Sequence, residues 1–194
     1  MKYMLPFIFT SGLFAASVSA AEPQPQCDYD RDAMLAMDPW DFDQDFDNGW
    51  RILEDQEGCL EEAADLIHEF YTTREMVDGM RRMMLWHEGQ IRAELDQTEH
   101  AIELMQHADS EESSDAWNYY VRATIAFLER DKDALKSNRD QLAQVPRPDD
   151  LPTFTDDDGN DVEMEWPMNL RIVDSFIECF DKPYMEAYMG CETE

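Results

Sequence analysis

Between Gly49 and Pro146 the apolar residues recur at steps of three and four positions, which places them along one face of an α-helix. Short polar stretches, such as residues 96–98, separate the successive helical runs. The prolines at 146 and 148 end this pattern, because proline lacks the backbone N–H that a helix interior requires. The pattern predicts an all-α fold in which helix, short turn and helix repeat, giving about three antiparallel helical hairpins.

The chain changes character after these prolines. Residues 153–166 alternate apolar and polar side chains on both sides of an Asp158-Gly159 pair, which predicts a small β-hairpin insertion. Helical periodicity then returns after Pro167 and predicts a C-terminal helix that caps the stack.

The amino terminus has the pattern of a secretory signal peptide over residues 1–21. Lys2 supplies a positive charge, residues 5–18 are apolar or small, and small residues precede Glu22. The apolar run is too short to span a bilayer comfortably, so we expect no membrane span after cleavage. The chain is therefore predicted to be exported, with the periplasm as the favoured destination and secretion as the alternative.

The predicted organisation is a leader followed by one domain, because the residues that remain after the leader are a normal number for a single domain. Residues 22–46 form an acidic lead-in, residues 47–146 the helical repeats, and residues 147–194 the β-hairpin and C-terminal helix of the same domain.

Four cysteines stand in a chain that is predicted to leave the reducing cytosol, and this even number favours two disulfides. Three connectivities are possible. We favour Cys27 with Cys59 and Cys179 with Cys191, because each pair closes a local loop at one end of the chain. A zinc site is not indicated, since no C-x-x-C spacing occurs.

The charge balance excludes one class of partner. The chain carries 45 acidic residues against 15 Lys and Arg, a formal net charge of −30, which repels nucleic-acid phosphates. Three explanations of this acidic excess remain: a cationic partner, a bound divalent metal, or solubility through solvated acidic faces. The last is the usual explanation of consecutive like charges.

Small residues recur in the repeat region at positions where two helices must approach closely. Gly89 precedes Ala101 by 12 positions and Ala108 by 19, Ala134 follows Ala101 by 33, and Pro146 follows Ala134 by 12. This spacing resembles that of the tetratricopeptide (TPR) superfamily of helical repeats. The glycine position is not kept in every repeat, which is a departure from the family pattern.

Two further segments strengthen a resemblance over the whole chain. With residues 86–90 and the run at 179–184, the sequence resembles uncharacterised exported TPR-like proteins of bacteria. The TPR resemblance implies a stack of helix pairs that binds a protein or peptide on a concave surface.

The candidate metal site lies where the lead-in meets the repeats. Four carboxylates occupy positions 1, 3, 5 and 12 of a calcium-binding loop pattern: Asp43, Asp45, Asp47 and Glu54. Asn48 replaces the usual glycine, and Arg51 brings a cation close to the metal position. The alternative is that acidic residues cap the first repeat helix. Residues 156–161 form a second acidic turn that could bind a cation, and the turn of the predicted hairpin is the favoured interpretation. No other cofactor is indicated.

We find no set of catalytic residues, so the chain is predicted not to be an enzyme. His87-Glu88 begins like a zinc-protease motif, but Ile91 stands where the second histidine is required. The predicted function is an exported acidic module that binds a protein or peptide. One alternative is a calcium-binding or calcium-stabilised protein of the cell envelope, and another is an enzyme with an unrecognised site. The residues predicted to line the partner groove are His87, Gln90, Tyr119, Tyr120 and Arg122.

Overall fold

The computed structural model describes residues 27–149, 151, 153–155 and 159–191. The predicted signal peptide at 1–21, the start of the lead-in and the acidic turn at 156–158 lie outside the described residues. In the described part of the chain the fold is mainly helical, as predicted.

The described residues form nine α-helices, two strands and one short 3₁₀ helix. The α-helices are α1 (Arg31–Leu35), α2 (Pro39–Gln44), α3 (Leu60–Thr72), α4 (Asp78–Glu94), α5 (Thr98–Gln106), α6 (Asp115–Leu128), α7 (Lys132–Leu142), α8 (Leu170–Glu178) and α9 (Tyr184–Met189). The 3₁₀ helix, Trp50–Leu53, precedes α3, and the strands β1 (Thr153–Thr155) and β2 (Asp161–Glu163) pair antiparallel. Over this part of the chain, every helix is too short or too polar to cross a membrane.

Several acidic residues of the sequence serve as helix N-caps. The side chains of Asp30, Asp38 and Asp131 accept hydrogen bonds from the backbone N–H groups that open α1, α2 and α7, and Ser114 does the same for α6. These N–H groups have no partner inside the helix, so the side-chain oxygens satisfy them. Part of the acidic excess therefore has a local role in starting helices.

Helix α4 lies at the centre of the molecule and contributes to both apolar cores. The first core contains Met84 together with Phe42 and Phe70, whose rings stack with centroids 3.7 Å apart. The second core contains Trp86 of α4 and the side chains of α5 to α9. Because residues 84 and 86 point to different sides of a helix, α4 links the lead-in and α3 to the carboxy-terminal helices.

Both predicted disulfide pairings are confirmed. Cys27 bonds to Cys59 and ties the lead-in to the start of α3, and Cys179 bonds to Cys191 and ties the end of α8 to the second residue after α9. Each bridge restricts the unfolded chain, which in the chain-entropy model stabilises the fold by about 3 to 4 kcal/mol.

Close packing of α4 on α5 depends on Gly89. A Cβ atom at this position would lie 2.9 Å from Cγ of Met105 and 3.3 Å from the backbone oxygen of Ala101. Gly79, in the first turn of the same helix, would bring a Cβ atom near nothing within 4 Å.

We therefore expect Gly89→Ala to lower the free energy of unfolding by about 1 to 3 kcal/mol, the usual cost of overpacking. Gly79→Ala is the matched control, and it should leave stability unchanged or raise it by up to about 1 kcal/mol, because alanine favours helix. Denaturant unfolding measures both changes. Equal effects of the two substitutions would contradict the close approach at Gly89.

Candidate functional site

A cleft of about 230 Å³ opens where the 3₁₀ helix, α4 and α9 meet, and we call it the α4–α9 cleft. Three segments line it. The lining residues are Trp50, Arg51 and Glu54 from the 3₁₀ helix and the residue after it, His87, Gln90, Ile91 and Glu94 from α4, and Tyr184, Met185 and Tyr188 from α9.

The 3.6-residue turn of the α-helix explains why these α4 residues lie on one wall of the cleft. Positions 87, 90, 91 and 94 differ by three or four residues, so their side chains lie above one another on one face of the helix. Tyr184 and Tyr188 have the same relation on α9. The sequence therefore sets each wall separately, and tertiary packing brings the walls together.

A buried carboxylate orients the histidine of the cleft. Asp43 is fully buried, and its Oδ1 accepts hydrogen bonds from Nδ1 of His87 at 2.7 Å and from Nε1 of Trp50 at 3.1 Å. Its Oδ2 accepts a hydrogen bond from the side-chain amide of Gln44 at 2.6 Å. In the described part of the chain Nε2 of His87 makes no hydrogen bond, and the ring lines the cleft with 12% of its side chain exposed.

The charge state of this pair follows from its partners. Burial by itself raises the pKa of the Asp43 carboxyl, but the hydrogen bond and charge of His87 and the hydrogen bonds from Gln44 and Trp50 together outweigh burial, and the pKa is lowered overall. Asp43 is therefore ionised at neutral pH and accepts the proton of Nδ1. An imidazole held in this way presents Nε2 to a bound group and can donate or accept a hydrogen bond there.

Arg51 forms part of the wall, and three contacts fix the position of its guanidinium. Its guanidinium lies over the rings of Trp50, at 4.1 Å from the centroid, and of Phe46, at 5.0 Å. Its Nη1 donates a hydrogen bond to the backbone oxygen of Asp43 at 2.7 Å. Burial lowers the pKa of Arg51. The aromatic faces and this carbonyl hold the cation in place.

Two glutamates of the cleft have no such partner. Glu54 is exposed at the rim and Glu94 is half-buried, and neither forms a hydrogen bond or an ion pair with any described residue. Burial raises the pKa of both carboxyls. For Glu54, the nearby charge of Arg51 lowers the pKa, while that of Glu94 adds to the increase. The cleft therefore holds two carboxylates and one cation, and neither carboxylate forms an ion pair with that cation.

A third polar group in the cleft is also incompletely bonded. Tyr184 is only 5% exposed, and its hydroxyl oxygen accepts a long hydrogen bond from the Gln90 amide at 3.4 Å. No described residue accepts the hydroxyl proton. Burial raises the pKa of Tyr184, so the group remains a protonated donor at neutral pH.

The residue after His87 belongs to a different network, on the side of α4 that faces α3. Glu88 is fully buried and accepts hydrogen bonds from the hydroxyl of Tyr71 at 2.7 Å and from Nη2 of Arg92 at 3.2 Å. Arg92 also donates a hydrogen bond to Asp65 at 2.6 Å. Because these contacts join α3 and α4, Glu88 positions the helix that carries the cleft.

The structure brings together only part of the predicted partner groove. His87 and Gln90 line the cleft. Tyr120 is 2% exposed and packs against Trp86 in the second core, with ring centroids 5.1 Å apart. Tyr119 packs on the same core, and Arg122 pairs with Asp109 at 2.6 Å. These three α6 residues do not line the cleft.

The four predicted calcium ligands have separate surroundings. Asp43 is engaged by His87, and Oδ1 of Asp45 accepts a hydrogen bond from the backbone N–H of Asp47 at 2.9 Å. Glu54 lines the cleft instead. Across the described ranges, no three acidic, histidine or cysteine side chains form a group that could hold a metal ion. Calcium binding by these residues stays a prediction.

Some residues of the cleft were not recognised from the sequence, among them Trp50, Glu94, Tyr184 and Tyr188. The step of seven from His87 to Glu94 was a usable signal, since it places both side chains on one helix face. The α9 residues gave no such signal, because nothing in the sequence relates α9 to α4.

We expect Asp43→Ala to lower the free energy of unfolding by about 2 to 4 kcal/mol, because it leaves His87 and Trp50 without their buried acceptor. Asp47→Ala removes an exposed carboxylate of the same segment and should leave stability unchanged. Folding lowers the pKa of Asp43, so its carboxylate contributes fully to the free energy of unfolding above the pKa of an unfolded aspartate, about 3.9. This contribution is lost as the pH falls through the pKa of Asp43 in the folded protein. Denaturant unfolding at several pH values measures this, and equal effects of the two variants would contradict it.

We expect Glu94→Gln to raise the melting temperature at pH 7, because it removes a partly buried charge that has no partner. A carboxyl whose pKa is raised by folding contributes its full stability below the unfolded glutamate pKa, about 4.3, and loses it as the pH rises through the folded value. The gain of the variant should therefore disappear below about pH 4.

Glu129→Gln is the control for this measurement, since Glu129 is exposed and lies outside the cleft. It removes one negative charge from the same acidic protein and should change the melting temperature less. A loss of stability in Glu94→Gln would show instead that the carboxylate supports the fold.

The chain matches no model of a known protein family, no curated protein and no solved structure.

Proposed function

We propose that this chain is an exported, acidic helical-repeat protein that acts as a protein or peptide interaction module and holds its partner in the α4–α9 cleft. The main support for this function is a set of polar groups in the cleft. Polar groups that have no ion-pair or acceptor partner among the described residues converge in one open cleft: the carboxylates of Glu54 and Glu94 and the hydroxyl proton of Tyr184. Such groups are costly to leave unpaired, and a bound molecule can satisfy them.

The two disulfides support the exported part of the proposal. Both cysteine pairs lie at bonding distance, a state that is typical of proteins in oxidising compartments. Together with the signal-peptide pattern over residues 1–21, they favour the periplasm or the outside medium over the cytosol.

The packing of the helices supports a TPR-like arrangement. Helix α3 packs on α4, α4 on α5 and α6 on α7, and the α4–α5 contact is close at Gly89, where the repeat pattern places a small residue. Helix α8 packs on α6 and α7, which supports its role as a cap, and the pairing of β1 with β2 supports the hairpin insertion. In such stacks the surface of the first helices binds peptides, and α4 would be one of them.

The proposal predicts that peptides selected from a displayed random library will bind the oxidised protein through the cleft. Gln90→Trp fills the cleft with a larger side chain and should weaken the binding of selected peptides by about tenfold or more. Gln141→Trp places the same side chain at an exposed position of α7 and is the matched control. Calorimetric titration measures both affinities.

Failure to enrich any peptide, or equal binding by the two variants, would refute the cleft as the binding site. Mass spectrometry of the bound peptide tests the alternative of an enzyme, which would use the His87 imidazole held by Asp43 as a general base. Recovery of a chemically altered peptide would favour that alternative.

A further inference from the structure

The charge of the α4–α9 cleft selects the kind of group that fits it. Glu54 and Glu94 line the same cleft, interact electrostatically with each other, and form no ion pair with a described residue. The neighbouring cation, Arg51, attracts Glu54, but its guanidinium is held by the carbonyl of Asp43 and by two aromatic rings and forms no ion pair with either glutamate. A ligand that brings one positive charge would relieve the repulsion between the two carboxylates.

The other walls of the cleft suit the stem of a long cationic side chain. Trp50, Tyr184 and Tyr188 present aromatic surface, and Ile91 and Met185 present aliphatic surface. Lysine and arginine cover such surfaces with their methylene groups and keep the charged end near carboxylates or aromatic faces. The volume of about 230 Å³ is below the range of pockets for drug-sized ligands, roughly 300–1,000 Å³, so it suits one side chain.

Tyr184 points independently to a ligand with a hydrogen-bond acceptor. The side chain is 95% buried, lines the cleft, and has no acceptor for its hydroxyl proton in the described part of the chain. A buried donor without an acceptor costs free energy that a ligand oxygen can recover. In a peptide, the backbone carbonyl of a lysine or arginine residue supplies such an oxygen next to the cationic side chain.

We infer that the α4–α9 cleft recognises one lysine or arginine residue of a protein or peptide, with its cationic end at Glu54 and Glu94 and a backbone carbonyl at Tyr184. This inference rests on the proposed function and names the chemistry of the partner. The net charge of −30 acts in the same direction, since it attracts a basic segment from a distance.

The test is calorimetric titration of the oxidised protein, at low salt, with short peptides that differ at one central residue. We expect peptides of alanine with a central lysine or arginine to bind about tenfold or more tightly than the peptide with norleucine, which keeps the stem and lacks the charge. A free alkylammonium ion of the same stem length should bind more weakly than the lysine peptide, because it lacks the carbonyl. Equal binding of the norleucine peptide overturns the charge recognition, and equal binding of the alkylammonium ion overturns the role of Tyr184.

Variants separate recognition in the cleft from general attraction to an acidic protein. Glu54→Gln and Glu94→Gln should each weaken the lysine peptide several-fold, whereas Glu129→Gln removes the same charge elsewhere and should not. Tyr184→Phe should weaken the peptide and leave the alkylammonium ion unchanged, with Tyr119→Phe as the control outside the cleft. If Glu129→Gln weakens binding as much as Glu94→Gln, the inference is wrong.

The library selection distinguishes failure of this inference from failure of the proposed function. Selected peptides that bind through the cleft but contain neither lysine nor arginine would leave the interaction module standing and refute the recognition of a cationic residue. If no selected peptide depends on the cleft, both proposals fall together.

Discussion

The hydrogen bond between the buried carboxylate of Asp43 and the imidazole of His87 joins the lead-in to α4, and the cleft depends on it. The same carboxylate fixes the indole of Trp50, and the backbone oxygen of the same residue fixes the guanidinium of Arg51. Trp50 and Arg51 line the cleft from the 3₁₀ helix, and His87 lines it from α4. A single buried residue therefore orients side chains that line the cleft from two segments.

Three successive residues of α4 serve three different neighbours. His87 faces Asp43 and the cleft, Glu88 bonds to Tyr71 of α3, and Gly89 allows the close approach of α5. A helix turns by about 100° at each residue, so adjacent positions point to different surroundings. Polar, ionic and steric contacts together fix the rotation of α4 about its axis, and this rotation decides which face lines the cleft.

The acidity of the protein has more than one origin in the structure. Some carboxylates cap helices, as Asp30 and Asp131 do, and others pair with arginine on the surface, as Asp174 does with Arg139. Exposed pairs of this kind contribute little to stability. Glu94 differs, since it is half-buried in a cleft without a partner in the described part of the chain, and this difference is what points to a ligand.

The sequence by itself determined the helical class and the place where the helical pattern stops at Pro146, and it favoured the disulfide pairs that the structure shows, because periodicity, proline and cysteine spacing act over short distances. It placed His87, Gln90 and Tyr120 in one predicted groove, whereas His87 and Gln90 line the α4–α9 cleft and Tyr120 is buried against Trp86 in the second core. Only the tertiary structure brought Asp43 to His87, 44 residues away, and Tyr184 to Gln90, 94 residues away. Contacts between distant segments depend on how helix faces pack together, and the periodicity of one helix carries no information about its neighbour.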